Sequence, residues 1–123
     1  MLYIGGVNLD TIDVSDDYGQ NWNQIKPTFT PFTASSVSIS ASGQYMAAGL
    51  TNGNTVFIST DYGTKWHPKV IGDKTYDIGV SSVVVSKDGK YIIATTTDSV
   101  NNNPAYNKVN ILQLDGQHEF YSW

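Results

Sequence analysis

One short pattern, present twice, constrains this chain more than any other feature. The stretch VSDDYGQNW (residues 14–22) returns as ISTDYGTKW (residues 58–66), which sets Trp22 and Trp66 44 residues apart. Independently, SSVSISASGQYMAA (residues 35–48) matches SSVVVSKDGKYIIA (residues 81–94) at an offset of 46. A fixed period of this length means that one supersecondary unit is being reused.

The complete unit reads as four short strands. Residues 36–40 alternate apolar and polar, Ala41, Ser42 and Gly43 turn the chain, and residues 45–50 form the second strand. The loop Thr51, Asn52, Gly53, Asn54 is rich in residues that tolerate positive φ. A third strand follows over 55–60 and a fourth over 65–70, where Pro68 marks a sheet edge. Four strands in about 45 residues predict one β-propeller blade. The first unit enters at its second strand (2–6), continues over 11–15 and ends near Ile25. The third has strands at 82–86 and 91–97, an insertion DSVNNNPAYN, then strands at 108–114 and 119–123.

The expected fold is therefore all-β: about three four-stranded antiparallel blades in a single domain over residues 1–123. Blade 1 covers about 1–30, blade 2 about 35–72 and blade 3 about 80–123. Closed propellers use about 4 to 8 blades, and open sheet edges invite pairing with another chain. Two outcomes follow: self-association through edge strands, with two copies completing a six-bladed ring, or a section of a larger propeller. A small non-propeller β fold is a third reading.

Composition narrows the partners. Of 123 residues, 40% are hydrophobic and 15% charged, and the net charge of -4 speaks against a nucleic-acid partner. Cysteine is absent, which removes disulfides and thiolate metal sites. The start MLYIGGVNLD lacks a basic region followed by a long apolar run. Nor does any segment approach the roughly 20 apolar residues of a membrane helix. The expectation is a soluble chain without membrane insertion, its address undetermined, with virion-associated and extracellular settings both open.

In the repeated pattern, Ser15, Asp17, Gly19 and Trp22 hold the fixed positions of the first copy, and Ser59, Asp61, Gly63 and Trp66 those of the second. The Asp carboxylate can accept backbone N–H groups of a tight turn, Gly supplies positive φ, and Trp brings a large apolar surface to the gap between sheets. This is the chemistry of a corner. The pattern resembles the Asp-box, or bacterial neuraminidase, repeat found in sialidases, sortilin-type receptors and xyloglucan hydrolases. A third copy, LQLDGQHEFYSW, keeps Asp115 and Trp123 but sets Gly116 directly after the Asp. The resemblance implies a structural box between the third and fourth strands of each blade, at the rim and away from any ligand pocket.

Catalysis finds little support in the residues. Sialidases, by that resemblance, clamp a carboxylate with three Arg side chains, and this chain contains no Arg. The only Glu is Glu119. Asp10, Asp13, Asp16 and Asp17 form the one acidic cluster and read as solvated loop and turn acids, without Ca²⁺-loop spacing. His67 and His118 lie too far apart in sequence for a zinc motif. No catalytic residue, metal or cofactor is assigned.

Strand alternation sorts the connections onto two ends. The boxes share one end with the Gly43 and Gly89 turns, and the longer loops gather at the other, where binding residues concentrate. Phe29, Phe32, Tyr76, Asn102 and Tyr106 lie on those loops and suit a sugar ring or a protein partner. Phe29 and Phe32 also fit a plain role as plugs between blades. The leading expectation is a non-catalytic propeller module for protein or glycan recognition or for structural assembly, for example in a virus particle or surface appendage. The alternative is a fragment of an Asp-box glycoside hydrolase whose catalytic residues lie outside this chain.

Overall fold

The computed structural model of the chain describes residues 3–8, 11–25, 33–51, 54–71, 79–98, 104–114 and 121–122. They form three antiparallel sheets. The first has strands β1 (Tyr3–Asn8), β2 (Thr11–Ser15) and β3 (Asn23–Ile25) in chain order. The second has β4 (Ala34–Ile39), β5 (Met46–Leu50), β6 (Thr55–Ser59) and β7 (His67–Val70), again in order. The third has β8 (Gly79–Val85), β9 (Tyr91–Thr97), β10 (Lys108–Gln113) and β11 (Tyr121–Ser122). Each predicted strand appears within a few residues of its expected place. The insertion before β10 carries a 3₁₀ turn, Pro104–Tyr106.

Register fixes how the units correspond. Met46 pairs with Ser59 in the second sheet, Tyr3 with Ser15 in the first and Ile92 with Leu112 in the third. The first sheet thus lacks a counterpart of β4 and β8 among the described residues, and β1 pairs only with β2 there. The same register puts Leu112 where Ser15 and Ser59 stand, so the third corner departs from the other two before Asp115 is reached. Each sheet also carries an extra residue at one place, Gly6, Ser35 or Ser81. Such bulges increase local twist.

Strand alternation gives the middle sheet two apolar faces. Met46, Ala48 and Phe57 pack with Ile12 and Val14 of the first sheet, while Ala47, Val56 and Ile58 pack with Val83, Val85, Ile92, Ala94 and Leu112 of the third. The sheets therefore stack face to face as successive blades of a partial β-propeller. At about 25 cal/mol per Å² of apolar surface, these two seams are the main source of stability. Backbones approach closely in the inner part of the second seam. A Cβ added to Gly49 would lie 2.5 Å from Val80 Cγ1, and one added to Gly79 would lie 2.2 Å from the Thr51 carbonyl oxygen.

Serine hydroxyls close the same seam. Ser36 Oγ accepts the Val83 N–H at 3.2 Å and Ser38 Oγ accepts the Val85 N–H at 2.9 Å, while Ser35 Oγ donates to the Val80 carbonyl. β8 pairs with β9 on one side, so these hydroxyls satisfy donors along its other edge. From sequence alone, SSVSIS reads only as a strand and a repeat marker.

The two corner tryptophans differ in surroundings. Trp66 packs in the seam between the first and second sheets, whereas Trp22, its counterpart, is 47% exposed. Large-to-small changes cost stability in proportion to the packing they remove. Trp66→Ala should therefore lower the unfolding free energy by about 2 kcal/mol and Trp22→Ala by less than about 1 kcal/mol, read from urea denaturation.

Candidate functional site

The two complete corners are built alike. Ser15 Oγ donates to Asp17 Oδ1 at 2.9 Å and accepts the Gly19 N–H at 2.8 Å. Asp17 Oδ1 also accepts the Asn21 N–H at 2.7 Å, Asp17 Oδ2 accepts Asn21 Nδ2 at 2.6 Å, and the Trp22 indole N–H donates to the Gly19 carbonyl at 3.0 Å. In the second copy, Ser59 Oγ donates to Asp61 at 2.9 Å and accepts the Gly63 N–H at 2.9 Å. Lys65 N–H donates to Asp61 Oδ1 at 2.9 Å and the Trp66 indole to the Gly63 carbonyl at 3.0 Å.

Backbone conformation explains the fixed Gly. Gly19 and Gly63 have φ of 82° and 86°, a region that side chains resist. Tyr18 and Tyr62, just before them, are also left-handed at 61° and 62°. In the corner sequences, positive φ is expected of the glycines and not of Tyr18 or Tyr62. Left-handed non-Gly residues persist where surrounding bonds over-determine them, and here the Ser and Asp bonds bracket the Tyr-Gly pair on both sides.

A shorter version of the device recurs at the first-to-second-strand turns. Ser86 Oγ donates to Asp88 Oδ1 at 2.8 Å, Asp88 Oδ1 accepts the Lys90 N–H at 3.1 Å, and Gly89 has φ of 74°. In the preceding blade, Ser40 and Ser42 take these places around Gly43, whose φ is 82°. All four turns share one end of the stack, as the strand reading predicts.

These bonds set the electrostatics. The Asn21 backbone N–H, helped by the Asn21 amide and the Ser15 hydroxyl, holds the Asp17 carboxyl below its ordinary 3.8 against a smaller opposing effect of desolvation. The Lys65 N–H does the same for Asp61, and the Lys90 N–H for Asp88. A lowered carboxyl is a poor general acid or base near neutral pH, because it holds its charge too firmly. Asp13 behaves differently from the solvated acid expected of it. It lies in β2, half-buried, and its Oδ1 is buried without a hydrogen-bond partner.

Two adjoining clefts open at the corner end, along the seam between the second and third sheets. One, of about 530 Å³, is lined by Gln44, Tyr45, Thr60, Asp88, Gly89, Lys90 and Leu114. The other, of about 470 Å³, includes Ile58, His67, Lys69 and Leu112. The Tyr45 ring lies against Gly89, where a Cβ would come within 2.2 Å of it. Sequence reasoning placed candidate ligand residues at the other end and did not find these clefts. The matched Tyr45 and Gly89 were the available signal, each next to a repeated turn. Of the predicted ligand residues, Phe29, Phe32, Tyr76 and Asn102 lie outside the described residues, and Tyr106 ends the 3₁₀ turn Pro104–Tyr106. Asp115 and Trp123 also lie outside them. Among the described residues, no group of three or more His, Asp or Glu side chains could hold a metal ion.

Two outcomes are expected from the corners. Ser59 is fully buried, so Ser59→Ala strands the Gly63 N–H and should cost about 1–3 kcal/mol in urea denaturation. Because Asp17, Asp61 and Asp88 are lowered in the folded state, their stabilisation is present above the ordinary 3.8 and is lost as pH falls through the folded values. Thermal unfolding followed from about pH 6 down to about pH 2 should show this loss, and Asp17→Asn/Asp61→Asn should lessen its steepness.

No family model matches the chain, and no curated protein matches it. Among solved structures, the crystal structure of an ancestral GH74 enzyme superposes with a TM-score of 0.61 at 18% identity, over 95% of this chain. The chain spans 15% of that enzyme's length. A likeness at this identity establishes the fold: the three sheets are arranged as a section of a β-propeller.

Proposed function

We propose that this chain is a section of an Asp-box β-propeller that acts by binding or structural assembly and not by catalysis. One observation carries the reading. Both complete corners spend their Ser hydroxyl and Asp carboxylate on each other and on groups of their own turn, the chemistry of a hinge that shapes a blade. Recognition would then fall to the loops expected at the opposite end, whose sequences supply the aromatic Phe29, Phe32, Tyr76 and Tyr106 and the amide Asn102. A glycan or a protein surface is the ligand class that suits them. Assembly, in a virus particle or surface appendage, is the other form of the same role.

A second reading draws on the GH74 neighbour: a fragment of a glycoside hydrolase whose acid and base lie on blades outside this chain. A reading frame that continues past Trp123 with further boxes and yields a hydrolytic product would favour it.

A glycan array with the purified chain tests the proposal. Reproducible binding that falls at least about tenfold with Phe29→Ala or Tyr106→Ala supports recognition, and a blank array from a chain that forms ordered multimers supports assembly. Sugar release by this chain alone would refute the non-catalytic reading.

A further inference from the structure

The two terminal sheets of the stack expose complementary halves of a seam that the molecule already makes twice. On the third sheet, Ile93, Val109 and Ile111 hold the register positions of Ala47, Val56 and Ile58. Those three residues are buried against the third sheet, and Ile12 and Val14 at the last two positions are buried against the second. In the third sheet, however, Ile93 is 39% exposed, Val109 43% and the adjoining Val84 52%. Val84 pairs with Ile93 and Ile93 with Ile111, so the side chains form a continuous apolar row across three strands. Single exposed apolar residues are ordinary, but a row whose Val109 and Ile111 positions are buried in both sister sheets marks a surface built to be covered.

The first sheet presents the other half. Trp22 holds the position of Trp66, which packs in the seam between the first and second sheets, yet Trp22 is 47% exposed. Asp13 holds the position of Phe57, and its buried Oδ1 lacks a partner.

Building on the reading of the chain as a propeller section, we infer that the row of exposed Val84, Ile93 and Val109 with half-buried Ile111 docks a second copy of this chain. The partner copy's first sheet would meet it head to tail, in the register of the two internal seams. Trp22 of the partner copy then packs on Val109 and Ile111 as Trp66 packs beside Ile12 and Val14. Head-to-tail contacts close when the rotation per unit allows, and two copies of three sheets give six blades, within the range of about 4 to 8 known for closed rings. This docking uses sheet faces, so it differs from pairing through strand edges. Asp13 makes it weaker than an internal seam, since a carboxylate sits where Phe57 supplies apolar surface.

Sedimentation and light scattering of the full chain over a concentration series test the inference. The expected result is a species of twice the 13.5 kDa chain mass, lost with Ile93→Lys/Val109→Lys while the β-sheet circular dichroism and cooperative melt are kept. Asp13→Leu should tighten association by at least about tenfold, because it places apolar surface at the Phe57 position. A folded monomer at every concentration would overturn the inference and leave the proposed function standing. A dimer indifferent to Ile93→Lys/Val109→Lys would overturn it too, as would one that responds to that pair but not to Asp13→Leu, the signature of third sheets packing on each other.

Discussion

The structure depends on the need of the middle sheet to bury both of its faces. In β5 and β6, neighbouring residues point to opposite sides, yet Met46, Ala47, Ala48, Val56, Phe57 and Ile58 are all buried. A sheet of this composition is unstable as a single layer and requires a cover on each side. The first and third sheets are those covers, and the small residues Ala47, Ala48 and Gly49 let them approach. Corners, bulges and bridging serines serve this stacking.

The corners show how one chemical device is reused with different substituents. A hydroxyl and a carboxylate bracket a left-handed residue pair at Tyr18-Gly19 and Tyr62-Gly63, and the same residue types bracket the shorter turn at Gly89. At Gly43 two serines suffice, without a carboxylate. Charge is therefore not required to form such a turn, although where present it ties turn stability to pH. The tryptophan adds a separate function: its indole N–H is anchored on the corner itself in both copies, and at Trp66 the ring packs against the neighbouring blade.

Most of the architecture was legible in the sequence because its two strongest signals, alternation and Gly-containing turns, are local. Strand order, the corner between third and fourth strands, the edge position of Pro68 and the shared end of the turns all followed from them. What escaped was what depends on the neighbouring blade. Ser36 and Ser38 read as the polar phase of a strand, yet their hydroxyls bind the backbone of β8. Asp13 read as part of a solvated acidic run, but strand register turns it into a seam position. The fit of Tyr45 to Gly89 joins residues that only stacking brings together. The candidate ligand loops were legible as aromatic and amide-rich segments, and apart from the Tyr106 backbone those side chains lie outside the described residues.

The central claim is that the repeated units stack face to face with their corners at one end. Nuclear Overhauser contacts across the seams in the isotope-labelled chain test it most directly. The account predicts cross-peaks from the Tyr45 ring protons to Gly89 Hα and from the Ile25 δ-methyl to Gly63 Hα, since each pair spans two different sheets in close contact. Assigned spectra that show every strand pairing but lack both contacts would contradict it, leaving three sheets with the right hairpins and the wrong stacking.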